Sequence, residues 1–387
     1  MCGNKELNTL VHVPTPGDHY SGSSGSAIMT IAYELNRQHV RAGLDCAVIV
    51  GNGTRADYPV GEVIRVPYAP RPNRLRKIAD IAMGRSGFRR PFISGVYGPA
   101  NTALSPDFNG VLIVHNGPAA LRGFRIAYPK ARICLYCHNY LFRTYSTSEM
   151  VRVLKDADHI VCVSNSLATQ LRGKLGYEDP RIVVVLNGVD TERFVSAPTP
   201  AESAVPVILF VGRVLPIKGP DLLIRAIAKI ADGTRRFKLR IVGSDNFTVN
   251  DEITPYEREL RELARPVADY IEFVPFVDRD EVVRQYQSAS VFCAPSNWDE
   301  PCSLTVPEAM ACGLPTVASN RGGLTEVGAK AVLYFTPPNV DELAGQLAYL
   351  IDNPAIRASM RTRARKQAEM ISWAVQYRVL QHLVLRH

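Results

Sequence analysis

Short apolar runs rich in Val and Ile alternate along the chain with longer segments whose apolar residues recur every three or four positions. The first kind reads as strands buried on both faces, the second as amphipathic helices. Their alternation predicts βα units wrapped around parallel sheets. In the first half, strands are expected at Leu7–Val13, Ala47–Val50, Val111–His115, Arg132–Tyr136, Ile160–Val163 and Ile182–Leu186, with helices at Ala27–Val40 and Ser166–Lys174. The stretch 196–206, SAPTPAESAVP, has three prolines in eleven residues and no apolar period, which marks a linker. A second series then begins with the strand Val207–Val211 and a helix at Asp221–Ile230. Strands at Lys238–Val242, Ile271–Val274 and Ser290–Ala294, a helix at Val306–Ala311 and a strand at Pro315–Ala318 continue it. Residues 340–385 read as successive helices interrupted at Asn353-Pro354. The expected fold is α/β, with two Rossmann-like parallel-sheet domains facing a cleft. Their limits are 1–195 for the first domain, 196–206 for the linker and 207–370 for the second. Residues 371–387 are expected to form a C-terminal helix that packs back on the first domain.

Composition narrows the class. The 387 residues are 46% hydrophobic and 21% charged, which allows a sizeable core and excludes wholesale disorder. No run approaches the roughly 18 apolar residues of a membrane-spanning helix. The start, MCGNKE, is polar and no apolar signal region follows it. Eight cysteines scattered over this length do not form a disulfide framework. A soluble, cytoplasmic chain is the expectation. Its net charge of +8 favours anionic partners without naming one.

Candidate chemistry gathers at predicted strand ends. In NWDEPCSLTVPEAMACGLPTVASNRGGLTE, residues 297–326, Glu300 and Glu308 lie eight apart. Thr305 to Glu308 reads as a capping box with proline in the first turn. The same helix start also offers open N–H groups after Ser303, which suit a phosphate, and a neighbouring carboxylate can accept from ribose hydroxyls. Capping and binding are compatible readings. In FVGRVLPIKG, Gly212 ends a buried strand at its carboxyl edge, where open α/β sheets bind ligands. Arg213 and Lys218 follow in the loop and suit a diphosphate; solvated surface cations are the other reading. Gly-Lys-Ser/Thr is absent, so this is not a P-loop. The loop Gly17–Ser26 (GDHYSGSSGS) joins the first strand to the first helix and fits either a phosphate contact or a plain flexible loop. His115 and His138 close strands and point to the same edge, as structural or as reacting groups. Cys134 and Cys137 lie within one strand and read as core. Asp156, Asp158, Asp278 and Asp280 form DxD pairs at helix junctions, with Asp278 at a capping position. Arg71–Arg90 holds seven basic residues against one acidic, with Leu75, Ile78, Ile81 and Ala82 at near-helical spacing. It reads either as a basic amphipathic helix for an anionic membrane surface or as a basic loop. Nucleic acid is not expected, since no aromatics interleave and no reader motif is present.

Taken together, HIVCVSNSLATQL, VVVLNGVDTERF, LFVGRVLPIKG, LRIVGS and the 297–326 segment resemble glycosyltransferase family 4, the retaining, nucleotide-sugar-dependent enzymes of GT-B fold. The resemblance runs nearly end to end and is strongest from Ile160 to Trp373. It implies that Glu300 and Glu308 are the family's E-x7-E pair, with Glu300 meeting the transferred sugar and Glu308 the ribose. It further implies that Arg213 and Lys218 hold the donor diphosphate. Gly212 and the amides of Ser303, Leu304 and Thr305 then contact the donor, and His138 stands near the reacting sugar. The loop with Gly22, Ser24 and Gly25 takes the place of the family's glycine-rich first loop, without its adjacent Gly-Gly pair. Cys302 and Ser303 replace the commoner Phe-Gly after Glu-Pro.

The implied activity is transfer of a hexose or N-acetylhexosamine from a UDP-sugar to a carbohydrate or lipid-linked acceptor, in polysaccharide or glycoconjugate biosynthesis. No cofactor or essential metal is expected. A GDP-mannose donor, a soluble small-molecule acceptor, or a noncatalytic nucleotide-sugar-binding protein on the same scaffold are the alternatives. An NAD-dependent oxidoreductase is disfavoured by the missing GxGxxG. If the basic stretch does meet a membrane, the chain would be peripheral at its inner face.

Overall fold

The computed structural model describes residues 9–197, 205–245 and 252–385. The polar start, the first two residues of the expected 7–13 strand, most of the expected linker and the last two residues of the chain lie outside them. Contacts between residues divide the chain into two units. One is built mainly from residues 26–186 with the strand-bearing N-terminal segment and Gln376–His387, the other mainly from Asn187–Val375.

The first unit has a sheet of seven parallel strands: β1 (Leu10–Val13), β2 (Cys46–Gly51), β3 (Glu62–Val66), β4 (Val111–His115), β5 (Arg132–Cys137), β6 (His159–Cys162) and β7 (Ile182–Val184). Their order is β3-β2-β1-β4-β5-β6-β7. The central strands are largely apolar and, apart from Arg132 at the start of β5, buried, as crossover helices on both sides require. Ser26 caps the first helix, Ala27–Arg41, by accepting from the Met29 N–H. The C-terminal helix Trp373–Leu380 leads into the segment Gln381–Leu385. There Tyr377 bonds the His39 ring through its hydroxyl, and Arg132 donates to the Val384 carbonyl.

The second unit has six parallel strands: β8 (Val207–Val211), β9 (Lys238–Val242), β10 (Ile271–Val274), β11 (Val291–Ala294), β12 (Thr316–Ser319) and β13 (Val332–Phe335). Their order, β10-β9-β8-β11-β12-β13, repeats that of the first sheet. Its core forms where the helix Pro220–Ile230 lays Leu223, Ile224 and Ile227 against β8, β9 and the helix Val340–Asp352. In both sheets the order reverses beside the first strand, between β1 and β4 and between β8 and β11. That switch point opens a crevice at the carboxyl ends of the strands, where doubly wound sheets take their ligands.

Most expected elements are present within a residue or two. The helix break at Asn353-Pro354 is found, with Asn353 closing one helix and opening the next. Cys134 and Cys137 are buried core, and Asp278 caps the helix Arg279–Gln287. Strands β3 and β13 and the helices Thr147–Leu154 and Pro255–Ala264 were not expected. β3 is an edge strand in which only Val66 is fully buried, and Glu62 and Arg65 break the continuous apolar run that marks its neighbours. The boundary between units falls at Leu186/Asn187, ahead of the expected linker. Side-chain bonds tie 187–196 into the second unit: Asn187 Nδ2 donates to the Cys302 carbonyl, Arg365 to that of Phe194, and Ser196 to that of Cys312.

Candidate active site

The switch point of the second unit gathers the cationic loop after β8 and the acidic loop after β11. The β8 loop folds back through a short turn at Pro216–Lys218 to Gly219, whose φ of +70° is left-handed. A Cβ on Gly219 would also run into the Pro295 carbonyl, so only glycine lets this loop lie against the end of β11. The closure delivers Lys218, whose ammonium donates to both oxygens of Glu300, at 2.8 and 2.7 Å. Oε2 of Glu300 accepts further bonds from the Ser296 hydroxyl (3.2 Å) and the Trp298 indole N–H (3.0 Å). The Glu300 backbone is fixed as well: the Gly323 N–H donates to its carbonyl at 2.7 Å, and a Cβ on Gly322 would collide with that oxygen. Glu300 is buried and its ammonium partner is about a quarter exposed, so the pair closes on its own side and opens on the lysine side.

Oε2 therefore carries three donors and Oε1 one. Two of the three ammonium N–H bonds of Lys218 are spent on the carboxylate, which leaves one for another acceptor. Arg213 lies in the same loop but pairs elsewhere, donating to the Asp245 carbonyl at 2.9 Å and to its carboxylate at 3.3 Å. It is the more exposed of the two cations.

Glu308 is placed differently from the expectation. The helix Thr305–Ala311 has Leu304 as its N-cap residue, with no side-chain cap bond there, and the Ser303 hydroxyl accepts from the Val306 N–H at 3.3 Å. The expected capping box is therefore absent, because Thr305 is already helical. The Glu308 side chain instead takes bonds from Arg279 (3.2 Å) and the Tyr286 hydroxyl (3.1 Å). Burial raises its ionisation above the usual carboxylate range, opposed by Arg279. The same burial, with Glu308 beside it, holds the Tyr286 phenol protonated. The first-turn amides from Ser303 to Thr305 are left open by helix geometry. Beside them, burial pushes the Cys302 thiol up to about 12, and Asn187 donates to both its sulfur and its carbonyl.

In the first unit His138 directly follows β5 and is buried. Its backbone N–H donates to Asn116 Oδ1, and its ring Nε2 lies 2.7 Å from Nδ1 of His115. Gly22, Ser24 and Gly25 lie in the loop before the Ser26 cap, and a Cβ on Gly22 would only touch Tyr58. Sequence reasoning missed Ser296 and Trp298 around Glu300, Arg279 and Tyr286 on Glu308, and His12. The first two stand within four residues of Glu300 and could have been suspected from that spacing alone. Arg279 and Tyr286 come from a helix whose pattern gave no cue. Among the described residues no group of three or more His, Cys, Asp or Glu is arranged to hold a metal ion.

The basic stretch is a helix over Arg74–Arg85, capped by Asn73. Leu75 and Ile78 face outward, 76% and 55% exposed, while Asp80 and Gly84 face in. Asp80 accepts from the Phe92 and Ile93 N–H groups. Arg90 is not part of the basic surface: it is buried, bonds Glu149 at 2.7 Å and lies over the Tyr145 ring. No described helix is long and apolar enough to cross a membrane.

Comparison with known proteins bears on the family and the fold. The family model described as Glycosyltransferase Family 4 matches residues 29–193, and that described as Glycosyl transferases group 1 matches 192–367. A D-inositol 3-phosphate glycosyltransferase of Kineococcus radiotolerans is 32% identical over 57% of this chain and 55% of its own length. The chain thus spans about half the length of curated relatives of this kind. Sucrose-phosphate synthase of Thermosynechococcus elongatus superposes with a TM-score of 0.73 at 18% identity, covering 97% of this chain and 98% of its own. HepE of Anabaena, solved with UDP and glucose, superposes with a TM-score of 0.69 at 18% identity over 96% and 98%. Two consecutive family models over nearly all the described residues, on paired sheets of GT-B type, place the chain in glycosyltransferase family 4.

Proposed function

We propose that the chain is a retaining glycosyltransferase that moves a hexose or N-acetylhexosamine from a UDP-sugar to a carbohydrate or lipid-linked acceptor. The observation that carries this reading is the Lys218–Glu300 pair seated at the switch point of the second sheet. The names of a relative that glycosylates inositol phosphate and of a fold neighbour solved with UDP-glucose support it.

Cleaving the anomeric C–O bond leaves a nucleoside diphosphate, so its oxygens need fixed positive charge. Lys218 supplies this through its remaining N–H, Arg213 through its exposed guanidinium, and the Ser303–Thr305 amides add oriented donors. These cations neutralise the leaving group without a divalent ion. Gly212 lets the chain pass close to the diphosphate, and Glu308 receives the ribose hydroxyls. Glu300 orients the sugar through Oε1, the oxygen with spare lone pairs. Retaining glycosidases set a carboxylate nucleophile about 5 Å from an acid. Here the candidate carboxylate is tied down by four donor contacts, which spreads its charge and makes it a poor nucleophile. Front-face displacement, with the departing phosphate taking the acceptor proton, is the route that fits. His138 is assigned a hydrogen bond to the transferred sugar, and the Gly22–Gly25 loop a contact with phosphate or acceptor.

A lipid-linked acceptor is favoured by the first unit's surface. Leu75, Ile78 and Phe88 are exposed among Arg74, Lys77, Arg85 and Arg89. A cavity of about 390 Å³ lined by Phe88, Arg89, Arg122, Ile126 and Arg152 is part of the same unit. Peripheral contact with an anionic membrane follows from that pairing of apolar and basic side chains.

The test is turnover by the purified chain across a panel of nucleotide-sugars and acceptors, with and without chelator. Lys218→Ala should lower kcat on the order of 10²–10³-fold, the usual effect of removing one such stabilising group. Normal turnover in both Lys218→Ala and Glu308→Ala would dismiss the site.

A further inference from the structure

Three histidines stand in line across the sheet of the first unit. His12 lies in β1, His115 ends β4 and His138 follows β5, on three neighbouring strands. The register steps each by two residues: His12 pairs with Ile113, two before His115, and His115 pairs with Tyr136, two before His138. A step of two preserves the face, so all three side chains leave the sheet on one side.

Their rings form a continuous chain. His12 Nδ1 lies 2.7 Å from His115 Nε2, and His115 Nδ1 lies 2.7 Å from His138 Nε2. Ring centres are 5.0 Å apart in both pairs, with planes 22° and 12° from parallel. Rings that close at nitrogen and that far apart at centre meet edge to edge along the line of centres, the geometry of an in-plane N–H···N bond. The Tyr136 ring lies parallel to His138 within 5°, at 4.7 Å. The two outer nitrogens, His12 Nε2 and His138 Nδ1, are buried without a hydrogen-bond partner.

We propose that His12 and His115 are positioning residues that hold His138 as an uncharged donor, its Nδ1–H directed at an oxygen of the bound substrate. This rests on the reading of His138 as a sugar contact. Each contact in the chain needs one N–H and one lone pair, so the three tautomers are not independent. Either all three rings carry the proton on Nδ1 or all carry it on Nε2; any other neutral pattern sets two lone pairs or two N–H groups face to face. Burial disfavours a cationic ring anywhere in the row, holding His12 and His138 down to about 3 and His115 well below its usual range. The two permitted patterns differ at the buried end. With protons on Nε2, His12 would bury an N–H with nothing to receive it, the costlier orphan. With protons on Nδ1 only a lone pair is left there, and the His138 N–H meets a ligand rich in acceptor oxygens.

Nitrogen-15 NMR of the full chain labelled at histidine reads the tautomers directly. The expected result is a proton on Nδ1 of all three rings and scalar coupling across both N–H···N bonds. In His115→Phe, which takes away the partner of His138 Nε2, His138 should become a mixture of tautomers. In the same variant kcat for sugar transfer should fall about tenfold, one hydrogen bond's worth, with KM little changed. His12→Phe moves the buried end of the row to His115 Nε2 and should leave His138 protonated on Nδ1, with a thermal melt to show that each variant is folded. A proton on Nε2 of His138, missing couplings in the parent chain, or an unchanged His138 tautomer in His115→Phe would overturn the proposal. The NMR readout needs no turnover, so a chain that shows both couplings but transfers no sugar would refute the transferase reading and support the tautomer lock.

Discussion

At the scale of single residues, the candidate site depends on who holds whom. Glu300 is anchored by Lys218, Ser296 and Trp298. Ser296→Ala should therefore leave folding nearly unchanged while loosening the carboxylate, raising KM for the donor by a few-fold in steady-state assays. Glu308 sits between Arg279 and Tyr286, and Glu308→Ala would strip both of their partner. A loss of about 1–3 kcal/mol in denaturant unfolding is expected, because a buried donor is then unmet. Glu308→Gln keeps an acceptor for Tyr286 and should be the milder of the two, a contrast that separates packing from ribose contact. The sequence disclosed both glutamates because they stand in a short, distinctive segment. It hid Arg279 and Tyr286, which reach Glu308 from a helix 29 and 22 positions away. It also hid His12, whose strand looks like any buried strand until the register sets it beside His115.

At the scale of elements, the loops after β8 and β11 are locked by glycine. Gly219→Ala forces a side chain into a left-handed turn against the Pro295 carbonyl. That should cost on the order of 1–3 kcal/mol of stability, measured by chemical denaturation, and misplace Lys218. The helix Arg74–Arg85 poses the opposite problem, for its apolar stripe faces out. Leu75→Glu with Ile78→Glu should leave the melting temperature within a degree or two and abolish co-sedimentation with anionic liposomes; unchanged sedimentation would remove the membrane reading. Buried strands were legible because both faces must be apolar. Edge strand β3 and the helix Pro255–Ala264 were not, since each shows the solvent a mostly polar pattern.

At the scale of the molecule, two sheets of one strand order explain why the fold could be read from the alternation of runs alone. The expected linker was placed by its prolines, yet the units part at Leu186/Asn187, because side-chain bonds across 187–196 carry no local signature. The histidine row also has a consequence for the whole chain. His12 and His138 ionise near 3 when folded and near 6.5 when not. The unfolded chain therefore binds the extra protons first, and stability is complete above about 6.5 and is lost as pH falls toward 3. Thermal melts between pH 7.5 and 4.5 should show that decline, shallower in His12→Asn. Equal slopes in the two proteins would assign it elsewhere.

Only two tryptophans occur in the chain, and they live in unlike surroundings. Trp373 is buried beside Gly188, whereas Trp298 is partly exposed and shares its indole N–H with Glu300. Any molecule that draws Lys218 or Glu300 toward itself must disturb that indole. The protein thus carries a native optical reporter: emission should shift on titration with the right nucleotide-sugar, against a constant background from Trp373, with no dye attached.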